Sequence, residues 1–199
     1  PIPTITFPTV QTERFTSIWD NLPQASQLVQ PVPMEMLNQY EGLILYRTRL
    51  VGHKSGLLRV DDVHDYATVF LNGRYLGTID RTLGQNSIKI PVSGGDENPV
   101  LDILVEGMGR INFAAYMIDR KGITERVTLN GMTLMNWEAY SLPMSADYVA
   151  SLRNGDTVRP GMFFKATLNL DETGDCYIDM RDFTKGIVYV NGHNLGRYW

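Results

Sequence analysis

Apolar residues along this chain come in short runs of strand length, each broken by a turn signal, and only two stretches carry a helical spacing. The runs "GLILYRTRLVG" (Gly42 to Gly52), "TVFL" (Thr68 to Leu71), "SIKIPV" (Ser87 to Val92), "VLDILVE" (Val100 to Glu106), "ERVTL", "MFFKATLNL" and "IVYV" are rich in Val, Ile, Leu, Thr and aromatics. Such runs predict β-strands. Asn-Gly follows a strand-like run at Asn72-Gly73, Asn130-Gly131 and Asn191-Gly192. That dipeptide predicts a type I′ hairpin, because both central residues of the turn need positive φ. Helices are expected only at "PMEMLNQY" (Pro33 to Tyr40) and at "SADYVASLRNG", where Ser145 would cap the helix and Gly155 would stop it. The fold class predicted is therefore all-β.

The chain also repeats itself. "TVFLNGRYLG" (Thr68 to Gly77) returns as "IVYVNGHNLG" (Ile187 to Gly196). "LYRTRL" from Leu45 is echoed by "FFKATL" from Phe163, and Val60-Asp61 by Ile178-Asp179. Shared order, spacing and turn chemistry predict two tandem jelly-roll β-sandwiches. The first copy continues through "SIKIPV" and "VLDILVE", whereas after the second hairpin only "RYW" remains, so the second sandwich is expected to be truncated. Its uncovered face would be closed either by strands from the N-terminal segment or by chain beyond Trp199, and the latter is the favoured expectation. The expected layout is residues 1–40 as a strap from a preceding domain, 41–144 as the first sandwich and 145–199 as the partial second.

Composition narrows the partners. A net charge of -4 with scattered Lys and Arg offers no basic patch for nucleic acid. No apolar run is long enough to span a bilayer as a helix, and "PIPTITFP" lacks the regions of a signal peptide, so the N-terminus reads as a cut or processed end. One cysteine, Cys176, makes no internal disulfide and excludes a zinc site built on several thiolates. "DDVHD" places Asp61, Asp62, His64 and Asp65 together, the donor types of a metal site, but Asp-rich corners ordinarily bond their own backbone. No metal and no cofactor are assigned. His53, His64 and His193 lack a nucleophile-elbow partner, and "GMGR" (Gly107 to Arg110) does not continue into a dinucleotide fingerprint.

Against this background "KGIVYVNGHNLGRYW" (Lys185 to Trp199), together with "ILYRT", "DDVHDYATVFLNG", "VEGMGRINF", "DRKGI" and "WEAYSLPM" in this order, resembles the C-terminal region of glycoside hydrolase family 35 β-galactosidases. The resemblance runs from about Trp19 to Trp199. It implies galactose-binding-domain-like jelly rolls that follow a catalytic barrel, in an enzyme that releases terminal β-galactose with retention. Retaining hydrolysis needs two closely spaced carboxyl groups. In that family these are glutamates of the barrel, and none of the glutamates in this chain stands in such a context, so no catalytic residue is assigned. The implied role is a non-catalytic accessory region that braces the barrel and shapes access to it, Arg110 and Asn112 falling in a motif that holds the first sandwich against its neighbours. The implied partners are that barrel, a galactoside ligand and a second copy in a homo-oligomer, with no nucleic acid and no membrane. The compartment stays unknown, with the family pointing to a periplasmic or secreted setting. The alternative function is a carbohydrate-binding module. For it, aromatics beside polar groups are the features that recognise a pyranose, and the candidates are Trp137, Tyr140, Arg197 and Trp199.

Overall fold

Alternation along each strand decides which side chains point inward. In the computed structural model, which describes residues 3–52, 55–92, 95 and 97–199, the first strands are β1 (Glu13–Ser17), β2 (Ser26–Leu28), β3 (Leu43–Arg49), β4 (Gly56–Val60), β5 (Val63–His64), β6 (Tyr66–Leu71), β7 (Arg74–Asp80) and β8 (Ser87–Ile90). They are followed by β9 (Val100–Glu106), β10 (Gly122–Ile123), β11 (Val127–Leu129), β12 (Met132–Thr133), β13 (Trp137–Leu142), β14 (Met162–Lys165), β15 (Gly186–Val190) and β16 (His193–Tyr198). The chain divides into two compact units, one of Leu22–Met144 and one of Pro1–Asn21 with Ser145–Trp199.

The Leu22–Met144 unit is a two-layered β structure. Six strands in the order β2-β13-β3-β9-β6-β7 form one sheet, and β12-β11-β4-β8 form the other. The ladders of both are antiparallel. Every second residue of the larger sheet enters one core: Ile44 and Tyr46 from β3, Ala67, Val69 and Leu71 from β6, Leu101, Ile103 and Val105 from β9, Trp137 and Ala139 from β13. Leu58, Val60, Ile90 and Val127 of the smaller sheet join the same cluster, which places it between the layers. Each fully buried aliphatic side chain contributes about 1.5–3 kcal/mol relative to exposure. A third pairing, β5 with β10, sets Gly122 opposite His64. Gly122 has φ 96°, and a Cβ there would collide with the Tyr46 hydroxyl, so only glycine fits this close approach.

The other unit has two short antiparallel ladders, β1 with β14 and β15 with β16. Edge-to-face rings link Phe164 to Phe183 (6.0 Å) and Phe183 to Tyr198 (6.4 Å). The Trp19 indole donates to the Pro160 carbonyl (2.8 Å) while the Arg159 guanidinium lies 3.7 Å from its ring centroid. The segment ahead of Glu41 thus gives β1 to this unit and β2 to the other.

All three Asn-Gly turns have positive φ at both residues (47° and 75°, 51° and 82°, 50° and 82°), as type I′ requires. The repeat reaches down to irregularities: the β6–β7 hairpin bulges between Val69 and Phe70, and β15–β16 bulges at the corresponding Val188 and Tyr189. It does not extend everywhere, since Tyr177 to Met180 lie outside any strand. The helical expectations shrink as well. Met34–Leu37 is a single 3₁₀ turn closed by left-handed Asn38 (φ 56°). Among the described residues the one α-helix, α1 (Ala146–Ala150), takes its cap from Ser145 as expected but ends at Ser151 instead of Gly155. Beyond Leu152 the backbone is claimed by side chains: Arg153 N–H donates to Asn21 Oδ1 (2.8 Å) and Thr157 N–H to Asp20 (3.2 Å).

Candidate functional site: an apolar loop on a buried ionic anchor

Between β9 and β10 the chain runs "GMGRINFAAYMIDRK" (Gly107 to Lys121). Its tip exposes Ile111, Phe113 (82%), Tyr116 (79%), Met117 and Ile118 (86%). Scattered exposed apolar residues are ordinary, but five large ones within eight positions form a patch of the kind that marks an interaction site.

The stems of this loop are the opposite in character. Lys121 is 2% exposed, and its ammonium donates to Asp65 Oδ2 (2.7 Å), Asp119 Oδ2 (2.8 Å) and the Gly109 carbonyl (3.1 Å). Arg81 reaches Asp65 Oδ1 (2.7 Å) and Asp119 Oδ1 (3.0 Å) from the 3₁₀ turn after β7. Asp65 also accepts the Met108 N–H (2.7 Å), and Asp119 the Ile111 N–H (3.2 Å), so both carboxylates hold the N-terminal stem of the loop, and Asp119, on the C-terminal stem, ties the two stems together. Arg110 donates to the carbonyls of Asp119 (2.8 Å) and Tyr40 (2.7 Å) and pairs with Glu35 (2.6 Å). Glu35 in turn accepts the Lys121 N–H. His64, in the cis-linked His64-Asp65 corner, sits between Asp119 and Asp62.

Burial alone would raise the Asp119 carboxyl. The hydrogen bonds from Lys121, Arg81 and the Ile111 N–H outweigh it and hold the group well below the ordinary carboxylate range. Asp65 is lowered in the same way: desolvation is overcome by Lys121, Arg81 and the Met108 N–H. Both therefore stay ionised at neutral pH, which disqualifies them as general acids. His64, Asp65 and Asp119 bring donor atoms within 4.8 Å of one another, a spacing that suits a metal ion. The carboxylate lone pairs, however, are engaged by the Lys121 ammonium and the Arg81 guanidinium. The protein supplies its own cations here, and the arrangement serves to hold a loop.

The residues proposed for sugar recognition fall in different settings. Trp137 and Tyr140 are three apart on β13 and so face opposite ways. Trp137 is 1% exposed in the core and donates to the Leu134 carbonyl (2.9 Å). Tyr140, half-buried, donates to Glu138 (2.7 Å) with the Arg47 guanidinium 5.5 Å from its ring centroid. Arg197 and Trp199 belong to the other unit, where Trp199 is 59% exposed and the Lys185 ammonium lies 5.4 Å from its ring centroid. His193 is exposed on β16, and His53 lies outside the described residues. Among the described residues no helix is long and apolar enough to cross a membrane.

Sequence reasoning singled out His64, Asp65 and Arg110 but missed Glu35, Arg81, Asp119 and Lys121. A signal was present in "DRKG", three charges running directly into a strand.

Two family models match the chain: "Beta-galactosidase, first all-beta domain" over residues 31–143 and "Beta-galactosidase, galactose-binding domain" over residues 161–199. Among curated proteins the chain is 39% identical to a beta-galactosidase of Xanthomonas manihotis, aligned over 100% of this chain and 33% of that protein. It is 32% identical to beta-galactosidase 1 of Dictyostelium discoideum, over 100% of this chain and 34% of the relative. Beta-galactosidase-1-like protein 3 of Rattus norvegicus is 34% identical, over 100% and 33%. The chain thus spans about a third of the length of the curated relatives it matches.

Proposed function

The chain belongs to the beta-galactosidase family, and on that premise we propose that it is the non-catalytic accessory region of a retaining glycoside hydrolase family 35 enzyme that acts on terminal β-galactosides. In that enzyme residues 1–40 lead from the preceding domain, residues 41–144 brace the catalytic barrel, and residues 145–199 belong to a second sandwich. The observation that carries this reading is the loop tip Ile111 to Ile118: a large apolar surface held rigidly at both ends by buried ion pairs has the form of a docking element. The tip meets the barrel and forms one side of the approach to its active site. The test is the enzyme that contains this chain, with Phe113, Tyr116 and Ile118 replaced by Ser. Turnover of a chromogenic β-galactoside should fall at least tenfold while the β units stay folded; unchanged kcat/KM would overturn the assignment. The 199-residue chain alone should show no turnover.

A galactoside-binding role is the second reading, and the half-exposed Trp199 beside Arg197, within the stretch that matches the galactose-binding model, favours it. Titration with galactose and lactose, followed by Trp fluorescence, tests it; no response at tens of millimolar removes it.

A further inference from the structure

Asn-Gly stands at the hairpin turns Asn72-Gly73, Asn130-Gly131 and Asn191-Gly192, and again at Asn154-Gly155 after α1. This dipeptide can rearrange without an enzyme. The glycine nitrogen attacks the Asn Cγ, the new C–N bond closes a succinimide, and the side-chain nitrogen leaves as ammonia. Water then opens the ring at either carbonyl, giving Asp or the β-linked isoAsp. One water is taken up and one ammonia released, so no oxidant, metal or partner is needed. Glycine allows the approach because no Cβ shields the attacking nitrogen. In a folded chain the turn must open locally before the two atoms meet, so whatever holds it closed sets the rate.

The three hairpin turns share one backbone shape, with φ 47° and 75°, 51° and 82°, 50° and 82°. Their side chains are held differently. Asn72 Oδ1 accepts the Val100 N–H (2.7 Å) while the Asn72 N–H donates to the Val100 carbonyl (2.8 Å), which clasps the turn to β9. Asn130 Oδ1 accepts the Leu57 N–H (3.0 Å), its Nδ2 donates to the Ser55 carbonyl (3.3 Å), and its backbone N–H donates to the Leu57 carbonyl (3.0 Å). At Asn154 the restraint falls on the nucleophile. The Gly155 N–H donates to the Phe15 carbonyl (3.5 Å), and the Asp20 side chain packs so closely on Gly155 that a Cβ there would collide with it. That carboxylate also opposes the amide anion that has to form. Asn191 and Gly192 are both exposed, and among the described residues the Asn191 side chain bonds to nothing.

We propose that Asn191-Gly192 is a self-modifying site, where the turn of the β15–β16 hairpin converts to Asp and isoAsp while the same dipeptide at Asn72, Asn130 and Asn154 is protected. IsoAsp adds a methylene to the main chain and a negative charge at the turn. The Val190–His193 pair next to the turn then loses its register, and the start of β16 loosens. The reaction needs neither the barrel nor a sugar, so it and the accessory role can fail separately.

The experiment is timed incubation of the 199-residue chain in mildly alkaline buffer, followed by proteolytic peptide mapping in a mass spectrometer that separates Asn, Asp and isoAsp at each site. In the folded chain Asn191 should convert at least about tenfold faster than Asn72 or Asn130, since opening either clasped turn costs two or more hydrogen bonds. Asn154 should lag as well. In concentrated denaturant the rates should draw together, because each site is then a bare Asn-Gly. Conversion of Asn191 no faster than the others in the folded chain would overturn the proposal. So would a lead that persists undiminished in denaturant, since it would then come from the flanking sequence and not from the missing clasp.

Discussion

Replacing Lys121 by Met removes a buried cation while nearly preserving the shape of its side chain. The ammonium is bonded to two carboxylates and a carbonyl, and the Asp119 and Lys121 side chains are each 2% exposed. Without it Arg81 is the permanent cation left to serve both Asp65 and Asp119, and one of the two carboxylates is buried without its balancing charge. Breaking a buried pair in this way costs about 3–5 kcal/mol. For a domain of this size that corresponds to a fall of roughly 10–20 °C in Tm. The pH dependence carries a further signature. In the native chain Asp65 and Asp119 are lowered, so their contribution is present above the unfolded carboxylate range, near pH 4, and is lost as pH falls below it. In Lys121→Met burial dominates and at least one carboxyl is raised, so the deficit seen at pH 7 should shrink as pH falls toward 5. Calorimetry at both pH values measures this. A loss under about 1 kcal/mol at pH 7, or a deficit equal at both, would refute the view that Lys121 balances the cluster.

Three further outcomes follow from the geometry. Gly73→Val should destabilise the β6–β7 hairpin by about 1–2 kcal/mol, because Gly73 holds φ 75°; an unchanged urea midpoint would contradict the turn assignment. Serine at Phe113, Tyr116 and Ile118 should leave the thermal stability of this chain within about 0.5 kcal/mol, since all three are exposed, while binding of an apolar dye falls; a large drop in Tm would show that the tip is packed. Trp199→Ala should abolish any fluorescence response to galactose, and a retained response would place the sugar elsewhere.

The strands and hairpins were legible because their causes are local. Strand-length apolar runs mark β3, β6 and β9, and Asn-Gly carries its own turn geometry at positions 72, 130 and 191. Side chains of a strand alternate between its two faces, which in "WEAYSL" already separates Trp137 from Tyr140, although residue type alone groups them. Helix ends were less legible: α1 stops because Asn21 and Asp20, far away in sequence, capture the backbone after Leu152. The anchor was least visible. Lys121 and Asp65 lie 56 positions apart, and the Lys121 amide and Glu35 86. Only the folded sheets bring them together, and a lone Lys or Asp in sequence ordinarily reads as a solvated surface group.

The closed ring of charges at Asp65, Arg81, Asp119 and Lys121 makes the loop modular. Because Met108 and Ile111 are pinned by carboxylates at the stem, the residues between Arg110 and Asp119 contribute little to holding the fold. They form a cassette whose sequence can drift or be exchanged at small cost in stability. A different tip grafted onto the same stems would present a new surface from an unchanged scaffold, so the ionic ring is what leaves this part of the domain free to acquire new specificities.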